Sequence, residues 1–409
     1  MFIINIAFFI EKPYYYSVIN TDQQKIKDLL TRGIEEIIEK AKLEAKLKSG
    51  KQLRIKLGID PTSPNIHIGR AVPLLKLRDF QELGHKIVLI IGDFTGVIGD
   101  TSDKDSERPM LTDEQVKANM KGYIDQASKI IDIDKCEIHY NSEWLGKIGY
   151  TELCKQANQF ALSDFISRDN IKKRLDAGKR VSLREILYPL MQGYDSVAIK
   201  ADVELGGTDQ RFNLLAGREL QRYYSQEPQD IITNPIIEGL DGRKMSSSWG
   251  NSVNLLDTPN DMYGKIMSLK DEFVIKYFML ATRVDTTLID SYQLDLKNGK
   301  NPKDIKMKLA FEIVRFYHSL EIAKKAEEYF INTFSKKEMP KDVPKFKPTK
   351  YDIISVLCDS GLVPSKSEAR RAIEQGAVKV DNTVIHDLKF SVPVGVILQK
   401  GKIHFIEVL

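Results

Sequence analysis

The chain has 409 residues, 42% of them hydrophobic and 29% charged, which excludes a disordered, collagen-like or filamentous protein. At roughly 150 residues per domain, its length predicts two or three domains. Lys+Arg 61 against Asp+Glu 57 leaves +4, too little to hold nucleic acid by bulk charge, so any RNA contact needs a local patch.

The apolar start MFIINIAFFI is cut after ten residues by Glu11-Lys12-Pro13, too short to span a bilayer, and no basic residue precedes it. It reads as a leader on a soluble chain. Residues 22–50 place Ile26, Leu29, Leu30, Ile34, Ile37 and Ile38 at helical spacing and read as one amphipathic helix ending at Gly50. LRIKLGID then predicts a strand stopped by Pro61. A helix over about 68–83 follows, ended by Gly84, with Pro73 in its first turn or at a kink. HKIVLII is a second strand, apolar on both faces. Strand, crossover helix and strand make a βαβ unit, hence a parallel sheet and an α/β domain.

Residues 111–190 read mainly as helix, VAIKADVEL (197–205) as strand, and Phe212–Tyr224 as helix. The stretch from about 258 to 334 reads as helix throughout. Ser335–Lys350, with three Pro, six Lys and two acids, reads as a linker to a small basic α+β module over 351–409. Cys136, Cys154 and Cys358 are scattered without C-x-x-C, which points away from disulfides or a cysteine zinc site and toward a reducing, cytoplasmic compartment.

Two loops carry the chemistry. The first strand empties into Asp60-Pro61-Thr62-Ser63-Pro64-Asn65-Ile66-His67-Ile68-Gly69-Arg70, a strand end meeting a helix start, where α/β sheets bind ligands and helix amides suit phosphate. Far downstream, Gly242-Arg243-Lys244-Met245-Ser246-Ser247-Ser248-Trp249-Gly250 offers one Lys and three consecutive hydroxyls in a glycine-flanked loop suited to closing over a polyphosphate. Alone, the first reads equally as an ordinary polar βα turn and the second equally as a phosphorylatable surface loop. The P-loop and H-E-x-x-H patterns are absent from the sequence. Tyr188, Gln192 and Asp195 are spaced i, i+4, i+7, along one helix face, with Pro189 expected in the first turn. Ser365 and Glu368 predict a capped helix carrying Lys366, Arg370 and Arg371, with Lys379 on the strand beyond. Four basic residues against two acids give that window +2, suited to an RNA backbone.

H-I-G-x after a first strand together with K-M-S-x-S in a late loop resembles the class I aminoacyl-tRNA synthetases. KLGIDPTSPNIHIG, GDFTGVIGD, YPLMQGYD and GGTDQ narrow the resemblance to the bacterial tyrosyl-tRNA synthetase family, from about residue 50 to the C-terminus. The resemblance implies a Rossmann-like parallel-sheet catalytic domain over 51–250 with a helical insertion at about 111–190. An α-helical anticodon-side domain over 251–334, the linker 335–350 and an S4-like RNA-binding domain over 351–409 would follow. It implies activation of L-tyrosine by ATP, with Mg2+ accompanying the nucleotide and no metal site in the protein, then transfer to tRNA(Tyr) by a homodimer.

By the same resemblance, Tyr188, Gln192 and Asp100 would hold the substrate ammonium, Asp195 the phenol hydroxyl, and Gln210 the carboxylate end. Thr62, His67 and Lys244 would stabilise the leaving pyrophosphate. Asp209 would meet the ribose, and Asp60, Gly69, Arg70, Gly207, Met245, Ser246 and Ser247 would complete the ATP site. Three positions depart from the family pattern: Arg70 replaces the second His of H-I-G-H, Ser247 the second Lys of K-M-S-K-S, and Lys56 a Tyr that faces the substrate hydroxyl. Lys56 is accordingly expected at the substrate, beside Asp195. Trp144, Trp249 and the cysteines receive no role.

Overall fold

The structure is a computed structural model describing residues 19–102, 109–335, 343–401 and 404–409. The apolar first ten residues and part of the Pro/Lys linker (336–342) lie outside that range. The chain separates into two compact units, residues 1–238 with 244–255 and 279–281, and residues 239–243 with 256–278 and 282–409.

The first unit is built on six strands: β1 (Glu36–Ile38), β2 (Arg54–Ile59), β3 (Lys86–Ile91), β4 (Glu137–Tyr140), β5 (Val203–Gly207) and β6 (Asp230–Asn234). Their order is β1-β6-β5-β2-β3-β4, parallel except for β1, which runs antiparallel to β6. The chain builds outward from β2 through β3 to β4, then returns to lay β5 and β6 on the other side of β2. The switch point therefore falls between β2 and β5, and ligands bind such sheets in the crevice at the strands' carboxyl ends there. Ile87 to Ile91 of β3 are all buried, as their continuous apolarity demands.

Between β2 and β3 runs helix α3 (Ile68–Glu82), after α1 (Gln23–Leu29) and α2 (Lys40–Lys48). The expected single helix over 22–50 is thus replaced by helix, strand, helix. Gly33 at φ +62 turns the chain, and Glu36–Ile38 then pair with Ile231–Thr233. The mainly helical insertion also holds one strand, Glu137–Tyr140, which extends the sheet beside β3. Val197–Ile199 finish a helix rather than open a strand, because Lys200 caps that helix in the left-handed region at φ 54. Strand β6 lies where the sequence suggested no element.

The helix Leu183–Ile199 starts earlier than Pro189 suggested. Ser182 and Glu185 form a reciprocal capping box, so Pro189 falls in the second turn. Pro73 likewise falls in the second turn of α3, removing the bond that the Gly69 carbonyl would otherwise accept.

In the second unit the stretch expected to be helical throughout consists of several separate helices. Pro259–Met267 packs against Pro302–Tyr317 and Leu320–Phe330. The C-terminal module pairs helices Ile353–Asp359 and Lys366–Glu374 with a sheet of β7 (Lys345–Phe346), β8 (Val378–Val380), β9 (Thr383–Val384), β10 (Ile397–Lys400) and β11 (His404–Val408). Their order is β7-β11-β10-β8-β9, so the end of the expected linker is itself a strand, parallel to β11. Ile353, Val356, Leu357, Ile373, Leu398 and Ile406 are among its core residues.

Candidate active site

His67 ends the loop after β2 and caps α3, its Nδ1 accepting from the Arg70 amide at 3.3 Å. Because Nδ1 is the acceptor, the neutral ring carries its proton on Nε2. Burial, with Arg70 and Lys244 adding to it, pushes the His67 pKa down to about 3, so the ring is a neutral donor at physiological pH. Gly69 brings the backbone close, since a Cβ there would lie 3.0 Å from the His67 ring and 3.1 Å from Ile237.

The late loop folds onto this corner. Ile68 donates to the Val253 carbonyl at 2.8 Å, Leu255 to the Ile66 carbonyl at 2.9 Å, and the Gly69 amide to Met245 Sδ at 3.3 Å. The two sequence motifs, some 175 residues apart, thus share one wall. Lys244 Nζ lies 3.1 Å from Asp209, which follows β5 across the switch point. Arg70 donates to Thr62 Oγ1 at 2.5 Å and to the Tyr123 hydroxyl at 2.8 Å, while Tyr123 donates to the Ser63 carbonyl at 2.7 Å. A permanently charged guanidinium is therefore held beside Thr62 in the first turn of α3.

The helix Leu183–Ile199 presents Tyr188, Gln192 and Asp195 to the same cavity of 550 Å³. Tyr188 donates to Asp60 Oδ2 at 2.8 Å, and Thr95 donates to Asp60 Oδ1 at 2.7 Å. Burial, and the Asp60 charge after it, hold the Tyr188 phenol well above its ordinary range, so it stays a donor. Gly92 is needed here, because a Cβ would fall 2.0 Å from Asp60 Oδ1. Gln210 donates to Asp100 at 2.7 Å, and Asn213 ties Gln210 to Gln192 with bonds of 3.0 and 3.1 Å.

Asp195, only 3% exposed, accepts from Trp144 Nε1 at 2.7 Å and from Asn141 Nδ2 at 3.3 Å. Burial dominates and pushes its pKa up to about 7, with Lys56, Trp144 and Asn141 pulling the other way. Each carboxylate oxygen keeps acceptor capacity for one more donor.

Asp60, Thr62, His67, Gly69, Arg70, Asp100, Tyr188, Gln192, Asp195, Gly207, Asp209, Gln210, Lys244, Met245, Ser246 and Ser247 all line this one cavity. Lys56 does not. Its side chain is wholly buried and pairs with Glu204 at 2.8 Å, not with Asp195, which corrects the expectation that it faces the substrate. The sequence reading missed Thr95, Asn141, Trp144 and Asn213. Asn141 and Trp144 follow β4 directly, so missing that strand hid them; Asn213 lies one turn beyond Gln210, a spacing that was readable. In the second unit, Lys366, Arg370 and Arg371 are exposed on the helix that Ser365 caps, and Lys379 lies half-buried on β8.

Comparison with known proteins agrees with this geometry. Residues 48–335 match the family described as tRNA synthetases class I (W and Y), and residues 353–398 match the S4 domain. A Thermotoga maritima protein named tyrosine–tRNA ligase is 46% identical over 393 residues, covering 95% of this chain and 98% of its own. One of the same name from Haemophilus influenzae is 44% identical over 391 residues, covering 95% and 98%. The solved structure of a C-terminally truncated mitochondrial tyrosyl-tRNA synthetase from Aspergillus nidulans shares the fold at a TM-score of 0.64 and 21% identity, over 76% of this chain and 94% of that one. With one family match spanning most of its length and relatives this similar end to end, the chain belongs to the class I tRNA synthetases of the tryptophan and tyrosine group.

Proposed function

We propose that this protein is a tyrosine–tRNA ligase, joining L-tyrosine to ATP as tyrosyl-adenylate and then passing the acyl group to tRNA(Tyr). The observation that carries the amino-acid assignment is Asp195: a buried carboxylate, with acceptor capacity left, at the far end of a helix line begun by Tyr188. That arrangement suits a phenol hydroxyl. The Asp100–Gln210–Asn213–Gln192 network offers carboxylate and amide acceptors for an ammonium group.

In the first step a tyrosine carboxylate oxygen attacks the α-phosphorus of ATP, the Pα–O–Pβ bond breaks, and pyrophosphate leaves. No side chain need serve as nucleophile or base. Catalysis is positioning plus stabilisation of charge on phosphate. Thr62 Oγ1, His67 Nε2–H, the Arg70 guanidinium and Lys244 Nζ supply those donors, and Asp209 suits the ribose. In the second step a hydroxyl of the terminal tRNA ribose attacks the acyl carbon and AMP departs. Magnesium enters with the ATP phosphates as part of the substrate.

Tyrosine-dependent exchange of labelled pyrophosphate into ATP, scanned over all twenty amino acids, tests this reading. Exchange with tyrosine alone is expected. Exchange with tryptophan, or with none, overturns it.

The C-terminal module supplies RNA contact in this reading, through Lys366, Arg370, Arg371 and Lys379. Replacing Lys366 and Arg370 together by glutamine should weaken tRNA binding and lower its log–log salt slope by about 2, with adenylate formation unchanged. An unchanged slope in a filter-binding titration would remove these residues from the interface. A homodimer is part of the same proposal. Tyr150, Leu162 and Leu183, at 88%, 64% and 72% exposure, give the insertion region an apolar surface suited to the contact. Among the described residues no helix is long and apolar enough to cross a membrane, which fits work in the cytoplasm.

A further inference from the structure

Two charged side chains are buried behind the pocket without lining it. Lys56 and Glu204 are register partners on parallel strands β2 and β5, 0% and 1% exposed, with Nζ and Oε1 2.8 Å apart. Lys56 also donates to Ser196 Oγ at 2.8 Å and to the Gln192 carbonyl at 3.0 Å. Glu204 accepts from Ser196 Oγ at 2.9 Å and from the Gln229 amide. The packing admits no slack: a Cβ on Gly217 would lie 2.7 Å from Gln229 Nε2 and 3.4 Å from Glu204 Oε2.

Burying such a pair returns little net stability, because desolvation offsets the attraction. Its position suggests another use. The two helix groups that Lys56 grips, Gln192 O and Ser196 Oγ, bracket Asp195 in the chain. Gln192 itself lines the substrate cavity.

We propose that Lys56 and Glu204 form a positioning pair for the amino-acid site, pinning the Gln192–Ser196 turn to the sheet and balancing the charge of Asp195 from behind. This rests on the reading of Asp195 as the phenol acceptor. The groups facing Asp195 leave this task to few others. From its own helix comes Tyr188, bonded to Asp60 at the end of β2. The segment after β4 provides Trp144 and Asn141, both neutral. His139 on β4 packs at a tilt against Trp144, ring centroids 5.8 Å apart, and pairs with Glu143. From the sheet beneath come Lys56 and Glu204, which act on Asp195 with opposite sign, Lys56 favouring its charged form and Glu204 opposing it.

The opposite signs make the test specific. Tyrosine kcat/KM is measured from pH 5.5 to 8.5 by pyrophosphate exchange, using the full chain. The acid limb reports the free-enzyme group, and His67, held near 3, lies outside that range. Lys56→Met should raise the midpoint of that limb by about one pH unit, cutting kcat/KM about fivefold more at pH 6 than at pH 8. Glu204→Gln, which keeps an acceptor for Ser196 and Gln229, should lower the midpoint. The double variant should return it close to the unmodified value. Variants that lose rate with the midpoint unmoved would overturn the proposal and leave a structural pair only. Should Lys56→Met not fold, Glu204→Gln decides alone, since a purely structural role predicts no downward shift. Absence of tyrosine-dependent exchange in the unmodified enzyme overturns the ligase reading instead, so the two failures are distinct.

Discussion

Replacing Lys244 by alanine is expected to slow adenylate formation by roughly 3 kcal/mol of transition-state stabilisation, about 10²-fold, while tyrosine binds nearly as before. Lys244 sits on the late loop, 3.1 Å from Asp209, at the end of the cavity proposed to hold the nucleotide. The tyrosine line of Tyr188, Gln192 and Asp195 comes from a different helix, which the Lys244 contact does not reach. The loss should therefore appear in the single-turnover rate at saturating tyrosine and ATP. Arg70 sets how large it becomes. With Ser247 in place of a second loop lysine, Lys244 is the sole Lys or Arg among the described cavity-lining residues of that loop, and the other lining Lys or Arg among the described residues, Arg70, is held by Tyr123 and Thr62 in the first turn of α3. Equally weakened tyrosine binding by equilibrium dialysis would show that Lys244 holds the pocket together rather than acting on phosphate.

Much of this site was legible because it sits where strand ends meet helix starts. HKIVLII was readable as a strand because a run buried on both faces is almost continuously apolar, and LRIKLGID because Pro61 stops it just before a helix start. The loop after β2 follows from them. The i, i+4, i+7 spacing of Tyr188, Gln192 and Asp195 was readable for an equally simple reason, one helix face. What was not legible depends on partners distant in sequence. Glu36–Ile38 has helical spacing and becomes strand only because β6, some 195 residues later, offers an edge. Glu137–Tyr140 is a four-residue edge strand set among helices. Missing it hid Asn141 and Trp144, which both donate to a carboxylate on another element.

Lys56 shows the same limit at a single residue. Its place in the family pattern suggested the substrate, and alternation along β2 does not say which charged group lies behind the sheet. Register supplies the answer, because Lys56 pairs with Glu204 across the β2–β5 ladder. The cation is thereby committed to a buried partner. In the proposed reading, that leaves the selectivity of the pocket to Asp195 and the groups bonded to it.

Removing that carboxylate should collapse the preference for tyrosine over phenylalanine. Asp195 is buried, accepts from Trp144 and Asn141, and has acceptor capacity left for a phenol hydroxyl. Phenylalanine in the same place would leave a desolvated carboxylate short of a donor, which is the costly side of hydrogen bonding. Asp195→Ala should cut tyrosine kcat/KM by roughly 2 kcal/mol or more, the loss of a hydrogen bond to a charged group, and phenylalanine activation far less. It would also leave the Trp144 and Asn141 donors unmet and lower stability. Asp195→Asn is therefore the cleaner partner variant: its amide keeps the shape and one acceptor while removing the charge. Its discrimination should fall between the other two, and its acid limb should vanish, because the group pushed up to about 7 is gone. Both amino acids are measured by pyrophosphate exchange at one pH, then tyrosine alone across pH. An unchanged tyrosine-to-phenylalanine ratio in Asp195→Ala would mean that the substrate lies the other way round, with its ammonium at Asp195.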